Sequence, residues 1–221
     1  MAAAAFSGGM SHVFLRGFRI SKHHPVDAAL RTATPPLGYC RSALFVTFRL
    51  HGSLPAHRVF PPDSLASSGK AFVAMDRLLD RGGSGPLYLH RPELADMVVA
   101  ALHDGERRFH RYQLHAYVVM PNHVHLLVTP NVGAMRWLAP LKGFTAYRAN
   151  EFLGSHGQAF WQEESYDHLV RSGAEFDRIR SYIEENPVKA GLVSERRQHP
   201  WSSAARRLKG GCGQEWPPHG L

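Results

Sequence analysis

A chain of 221 residues with 44% hydrophobic and 20% charged residues can bury a sizeable core, and this composition excludes a disordered or fibrous protein. Its two cysteines, Cys40 and Cys212, form no Cys-x-x-Cys pair, which excludes a disulfide framework and a zinc knuckle and makes a reducing compartment the default. Twenty-six Lys and Arg against 18 Asp and Glu give a formal charge of +8, a balance suited to a polyanionic partner such as nucleic acid.

In chain order, residues 1–40 carry Ala, Gly, Pro and basic residues without a period, and read as an irregular extension. The start lacks a basic segment followed by an apolar one, and no stretch approaches the ~18 consecutive apolar residues of a membrane span, so a cytoplasmic protein is expected. Ala43 to Leu50 is the first strand signal. Gly, Pro and Ser from His51 to about Ser68 mark a long loop. A short helix follows over residues 71–79, with Phe72, Met75, Leu78 and Leu79 along one side. Gly82, Gly83 and Gly85 lack phosphate-loop spacing and read as turn residues.

Pro92 suits a first helical position, and Leu94, Met97, Val98, Ala101 and Leu102 repeat at helical spacing, predicting a helix over residues 91–104. Tyr112 to Met120 and His123 to Val128 are apolar, β-branched runs on either side of Pro121-Asn122, which predicts a hairpin. A second long helix runs to about Phe152, with Pro140 expected near its start because an interior proline costs about 3 kcal/mol. Ser165 to Val170 is a fourth strand. Ser172-Gly173-Ala174-Glu175 has the form of a capping box and opens a helix that Pro187 is expected to close.

This order predicts an α+β protein with the split βαβ layout of a ferredoxin-like fold, its antiparallel sheet covered by helices on one face. The expected organisation is an extension over residues 1–40, a domain over residues 41–193 with an insertion at about 52–90, and a C-terminal segment and tail over residues 194–221.

Two features carry chemistry. On a strand, His123 and His125 point to the same side, roughly 6–7 Å apart along the chain, so that both imidazoles can close on one divalent cation. Solvent-facing histidines on a half-exposed hairpin are the plainer reading. On the last helix, Phe176, Ile179 and Ile183 form a core-facing stripe, with Tyr182 at its edge and Asn186 one turn further along. Here the plainer reading is an amphipathic tyrosine with a packed ring and a wet hydroxyl.

Taken together, Val119-Met120-Pro121-Asn122-His123-Val124-His125, then Phe160-Trp161-Gln162, Tyr166-Asp167-His168 and Arg171, then the run from Arg180 through Tyr182 and Asn186-Pro187-Val188-Lys189 to Val193, resemble the single-tyrosine HUH transposases, and most closely the REP-associated tyrosine transposases. Trp201-Ser202-Ser203 is similar to that family's closing tryptophan segment. The likeness covers about residues 40–205. It implies cleavage and transfer of single-stranded or hairpin DNA through a covalent 5′-phosphotyrosine. Tyr182 would be the nucleophile, and His123, His125 and Asn186 would be ligands of Mg²⁺ or Mn²⁺. Glu185 is a substitute third ligand and Tyr166 a rival nucleophile. Arg136, Lys142, Arg148, Arg178 and Lys189 are candidate phosphate contacts. The insertion at 52–90 and both terminal segments depart from the family pattern, and none of them is expected to touch the metal site. The partner is DNA, with the protein a monomer or homodimer. The competing reading is a DNA-hairpin binder or repressor that does not cut. A histidine-triad hydrolase would need a third alternating histidine where Leu127 stands.

Overall fold

Four β-branched or aromatic runs pair into one antiparallel sheet, and the way their side chains alternate decides what each face holds. The computed structural model describes residues 42–54, 68–81 and 85–206. The 1–40 extension with Cys40, Gly82 and Gly83, and the tail with Cys212 lie outside the described residues.

The strands are β1 (Leu44–Arg49), β2 (Tyr112–Val119), β3 (His123–Pro130) and β4 (Tyr166–Leu169). The principal helices are α1 (Ser68–Asp80), α2 (Pro92–Arg107), α3 (Ala134–Leu153) and α4 (Gly173–Lys189), followed by the single turn α5 (Ser203–Arg206). The sheet order is β2-β3-β1-β4, every pair antiparallel, as a split βαβ layout requires.

Alternation divides the apolar residues into two cores. Leu44, Val46, Phe48, Val124, Leu126 and Val128 meet α2 and α3 through Val98, Leu102, Trp137 and Leu141. Ala43, Phe45, Val118 and Leu127 face the other way, onto Phe72 of α1 and Phe176 and Ile183 of α4. Helices therefore cover both faces, which corrects the expected single layer: β1, β2 and β3 bury apolar side chains on both sides, and one helical layer would leave the second face in water. A register shift between Leu114 and Ala116 turns β2 over partway along, so Leu114 serves the first core and Ala116 the second.

Both prolines expected at helix ends lie inside helices. Pro140 sits on the exposed side of α3, where the carbonyl it leaves unbonded can be hydrated. Pro187 falls in the last turn of α4. The backbone N–H of Ala190 still reaches Asn186 O, and Gly191, at φ 71°, ends the helix. Asn186 is accordingly held in helical register with Tyr182 instead of being pushed out of it. At the other end, Ser172 caps α4 by accepting from Glu175 N, while the Glu175 carboxylate takes Arg171 N and His168 Nε2 (2.9 Å), tying α4 to β4.

The C-terminal segment completes the sheet side of the domain. Val119 N donates to Trp201 O, Val118 bridges to Ser202, and Trp201 Nε1 donates to Asp96 Oδ1 at 3.0 Å. Among the described residues no helix is long and apolar enough to cross a membrane.

Candidate active site

The two-residue hairpin turn Pro121-Asn122 starts the site, because it places His123 and His125 on the face shared by α1 and α4. Both imidazoles are fully buried, which removes the solvent-facing reading. Asn122 Nδ2 donates to Leu79 O at the end of α1 (2.9 Å), leaving its Oδ1 to accept from His123 Nδ1 at 2.7 Å. That hydrogen bond puts the proton on Nδ1 and the lone pair on Nε2. Thr47 stands directly across from His125 in the β1–β3 register, with its hydroxyl 2.7 Å from His125 Nδ1. Both Nε2 atoms therefore aim into one space, 3.1 Å from each other. A metal-binding histidine is normally held in this way, by a partner on its other ring nitrogen.

Asp76 of α1 enters the same space. It follows Phe72 by one turn and lies on the buried side of its helix. Its Oδ1 is 3.1 Å from His125 Nε2 and 3.6 Å from His123 Nε2, yet accepts no well-directed hydrogen bond. Its Oδ2 accepts from the Tyr182 hydroxyl and, at 3.3 Å, from Asn186 Nδ2. Asn186 Nδ2 also lies 3.5 Å from His125 Nε2, and Asn186 Oδ1 is buried without a hydrogen-bond partner among the described residues.

The electrostatics follow from this crowding. Burial, followed by the charge of His125, pushes His123 down to about 3, so it is neutral at physiological pH. Burial alone would raise the Asp76 carboxyl, but His125, His123 and the Tyr182 hydroxyl together hold it well below the ordinary carboxylate range. Burial and the adjacent Asp76 charge push the Tyr182 phenol well above its usual value. Asp80, one turn further along α1, is raised to about 7 by burial and by Asp76.

These residues fit a divalent cation. Asp76, His123 and His125 each offer one ligand atom, all within 4.8 Å of one another. Two imidazole Nε2 atoms and two buried oxygens without hydrogen bonds, Asp76 Oδ1 and Asn186 Oδ1, form a mixed nitrogen and oxygen donor set.

The structure brings together four of the residues singled out in the sequence, His123, His125, Tyr182 and Asn186, and sets the others around or away from that cluster. Glu185 is exposed, away from the cluster. Tyr166 stacks on Phe72, with ring centroids 4.4 Å apart, and packs edge-on to Phe45. Trp161 is buried against Phe48 and donates to Thr145 Oγ1. Arg178 and Lys189 are exposed on α4, and Lys189 Nζ lies 4.7 Å over the Tyr182 ring. Arg136 and Arg148 are exposed on α3, which packs on the opposite face of the sheet, and Arg148 pairs with Glu151.

Lys142 is a correction. It is buried, and its ammonium donates to Gln162 O (2.8 Å), Glu163 O (2.9 Å) and Ser165 Oγ (3.1 Å), pinning the segment that leads into β4. Lys142→Met is expected to cost about 2–4 kcal/mol in denaturant unfolding, because these hydrogen bonds come from a charged donor. DNA affinity and its salt slope should be unchanged; a flatter salt slope would return Lys142 to the DNA surface.

The residue missed in the sequence is Asp76, and with it the expectation that the 52–90 insertion stays clear of the site is overturned. One signal was available: an Asp among Phe72, Leu78 and Leu79 on the apolar side of a predicted helix is a carboxylate directed toward the core.

Residues 94–186 match the family described as "Transposase IS200 like". The REP-associated tyrosine transposase of Escherichia coli (strain K12) is 28% identical over 109 residues, which are 48% of this chain and 62% of that protein. The alignment thus spans under two thirds of the relative's length. A solved REP-associated tyrosine transposase, bound to a REP hairpin, superimposes with a TM-score of 0.51 at 18% identity, covering 85% of this chain and 93% of that one, and so shares the fold. Over residues 94–186, a span that holds His123, His125, Tyr182 and Asn186, this chain is similar to the IS200-like transposases, and it resembles the REP-associated tyrosine transposases in sequence and in fold.

Proposed function

We propose that this protein cleaves and rejoins single-stranded DNA through a covalent phosphotyrosine, on substrates that include hairpin or palindromic repeat DNA. The observation that carries the reading is the meeting, within one chain, of the Tyr182 hydroxyl with the cluster of His123, His125 and Asn186. In this reading the Tyr182 oxygen attacks a backbone phosphorus, and the bond from phosphorus to the 3′ oxygen breaks. The products are a 5′-phosphotyrosine and a 3′-hydroxyl, which takes up a proton. Attack by a 3′-hydroxyl on the phosphotyrosine reverses the step and reseals a strand, so the bond energy is conserved.

Asp76 Oδ2 accepts the phenol's hydrogen bond and orients the hydroxyl, and the proton the phenol loses on attack is balanced by the one the departing 3′ oxygen takes up. Until substrate arrives, burial and that negative neighbour keep the phenol protonated and unreactive. His123 and His125, fixed by Asn122 and Thr47, would hold the cation, with Asn186 Oδ1 as a further ligand. A bound Mg²⁺ or Mn²⁺ would polarise a phosphate oxygen and offset the charge developing there. Arg178 and Lys189, flanking Tyr182 on α4, are the basic side chains best positioned to approach the strand being cut. Hairpin recognition is inferred from the fold shared with the transposase solved on a REP hairpin.

The test is to incubate the full chain with labelled single-stranded and hairpin oligonucleotides and Mn²⁺, and to resolve the products under denaturing conditions. A labelled band at the mass of protein plus DNA, digestible to a phosphotyrosyl peptide, is expected. Binding without any covalent product would establish instead a hairpin binder that does not cut.

A further inference from the structure

Asp76 lies outside residues 94–186, and nothing in the HUH resemblance assigns it a role. Its two oxygens are used differently. Oδ2 is engaged on the α4 side, by the Tyr182 hydroxyl and Asn186 Nδ2. Oδ1 faces the β3 side, in the gap beside both Nε2 atoms, with no hydrogen bond of its own. Asn186 is oriented by the same contact: because its amide nitrogen points to Asp76, its Oδ1 is left buried and unbonded. Asp76 is 2% exposed, and its Oδ1 stands 3.1 Å from His125 Nε2 and 3.6 Å from His123 Nε2, so three potential ligand atoms converge on one buried space.

We infer that Asp76 is a direct ligand of the divalent ion through Oδ1 and, through Oδ2, the residue that positions Tyr182 and Asn186 over that ion. This rests on the reading of a cation at His123 and His125. It makes α1, which lies within the long β1–α2 connection, an integral wall of the active centre. It also bears on which metal the site prefers. Two imidazoles and an amide are neutral and favour zinc-like or nickel-like ions. An anionic oxygen adds charge and hardness and shifts the preference toward Mg²⁺ and Mn²⁺.

The test uses the full chain and reads metal binding by titration calorimetry, with the Mn²⁺-induced rise in Tm alongside. Asp76→Asn, which preserves shape, should weaken Mn²⁺ binding at least about tenfold, the usual scale for losing a metal-site carboxylate contact or its supporting partner. Zn²⁺ binding should fall less. Glu185→Gln, on the exposed side of α4, should leave Mn²⁺ affinity within about twofold of wild type, as expected for a carboxylate outside the donor set. Should Asp76→Asn fail to fold, the wild-type protein answers the question directly. With Fe²⁺ and ascorbate replacing Mn²⁺, local oxidative cleavage should cut the backbone near residue 76 as well as near residues 123–125. Wild-type Mn²⁺ affinity in Asp76→Asn, or cuts at the hairpin without cuts in α1, would overturn the assignment. A wild-type protein that binds Mn²⁺ with the help of Asp76 yet forms no DNA adduct would retain this inference and remove the proposed reaction. A wild-type protein that binds no Mn²⁺ would remove the inference itself.

Discussion

Tyr182→Phe should abolish the covalent DNA adduct, by a factor on the order of 10³ or more, since nothing else in the cluster can take over as the attacking oxygen. The change removes one oxygen atom. The ring keeps its edge-on contacts with Phe45, Phe72 and His125, and Lys189 keeps its place over the ring face. Folding should therefore survive, at a cost of about 1.5–3 kcal/mol for the lost hydrogen bond to the ionised Asp76. DNA affinity, measured by fluorescence anisotropy, should stay within about threefold of wild type, because phosphate contacts and not the phenol dominate binding. Tyr166→Phe is the matched control. Its ring is committed to Phe72, its phenol is raised by burial, and its removal should leave adduct yield intact. Adducts that persist in Tyr182→Phe and vanish in Tyr166→Phe would reverse the assignment.

His123→Ala is expected to be nearly as damaging to adduct formation, and the loss should not be recovered by raising Mn²⁺. It deletes one of the two Nε2 donors and leaves Asp76 with one neighbour fewer. EDTA treatment of the wild type should reproduce the loss and Mn²⁺ should reverse it, whereas in the variant neither should matter. In the absence of DNA, saturating Mn²⁺ should stabilise the wild type by about 2.7 kcal/mol at a hundred times its dissociation constant, and the variant much less.

The same residue sets an acid limit. Its pKa is lowered from the ordinary 6.5 to about 3 in the folded state, so between those values the unfolded chain binds the extra proton. The contribution of neutral His123 to stability is therefore present above about pH 6.5 and falls progressively as the pH drops toward 3. Urea unfolding of wild type and His123→Ala at pH 7.5 and 5 should show a steeper acid loss in the wild type. Equal losses would mean that this imidazole is not held neutral by the fold.

Much of this protein was legible in one dimension, because strand alternation and helical spacing are local. The hairpin about Pro121-Asn122, the common direction of His123 and His125, the Ser172 cap, and the spacing that puts Tyr182 and Asn186 on one side of α4 all follow from residues within a few positions of each other. The order of strands and helices was enough for the split βαβ layout.

Only the tertiary structure decided which neighbours those faces meet. It placed helices on both sides of the sheet, turned Lys142 inward onto the segment before β4, and carried α3 and α4 through prolines whose lost hydrogen bonds fall at the surface or in a last turn. Above all it brought Asp76 from the first crossover to His123, His125 and Tyr182. Nothing within a turn of Asp76 in the chain needs its charge. The groups that do are far away in sequence, and a buried carboxylate gains its meaning from partners that only folding supplies.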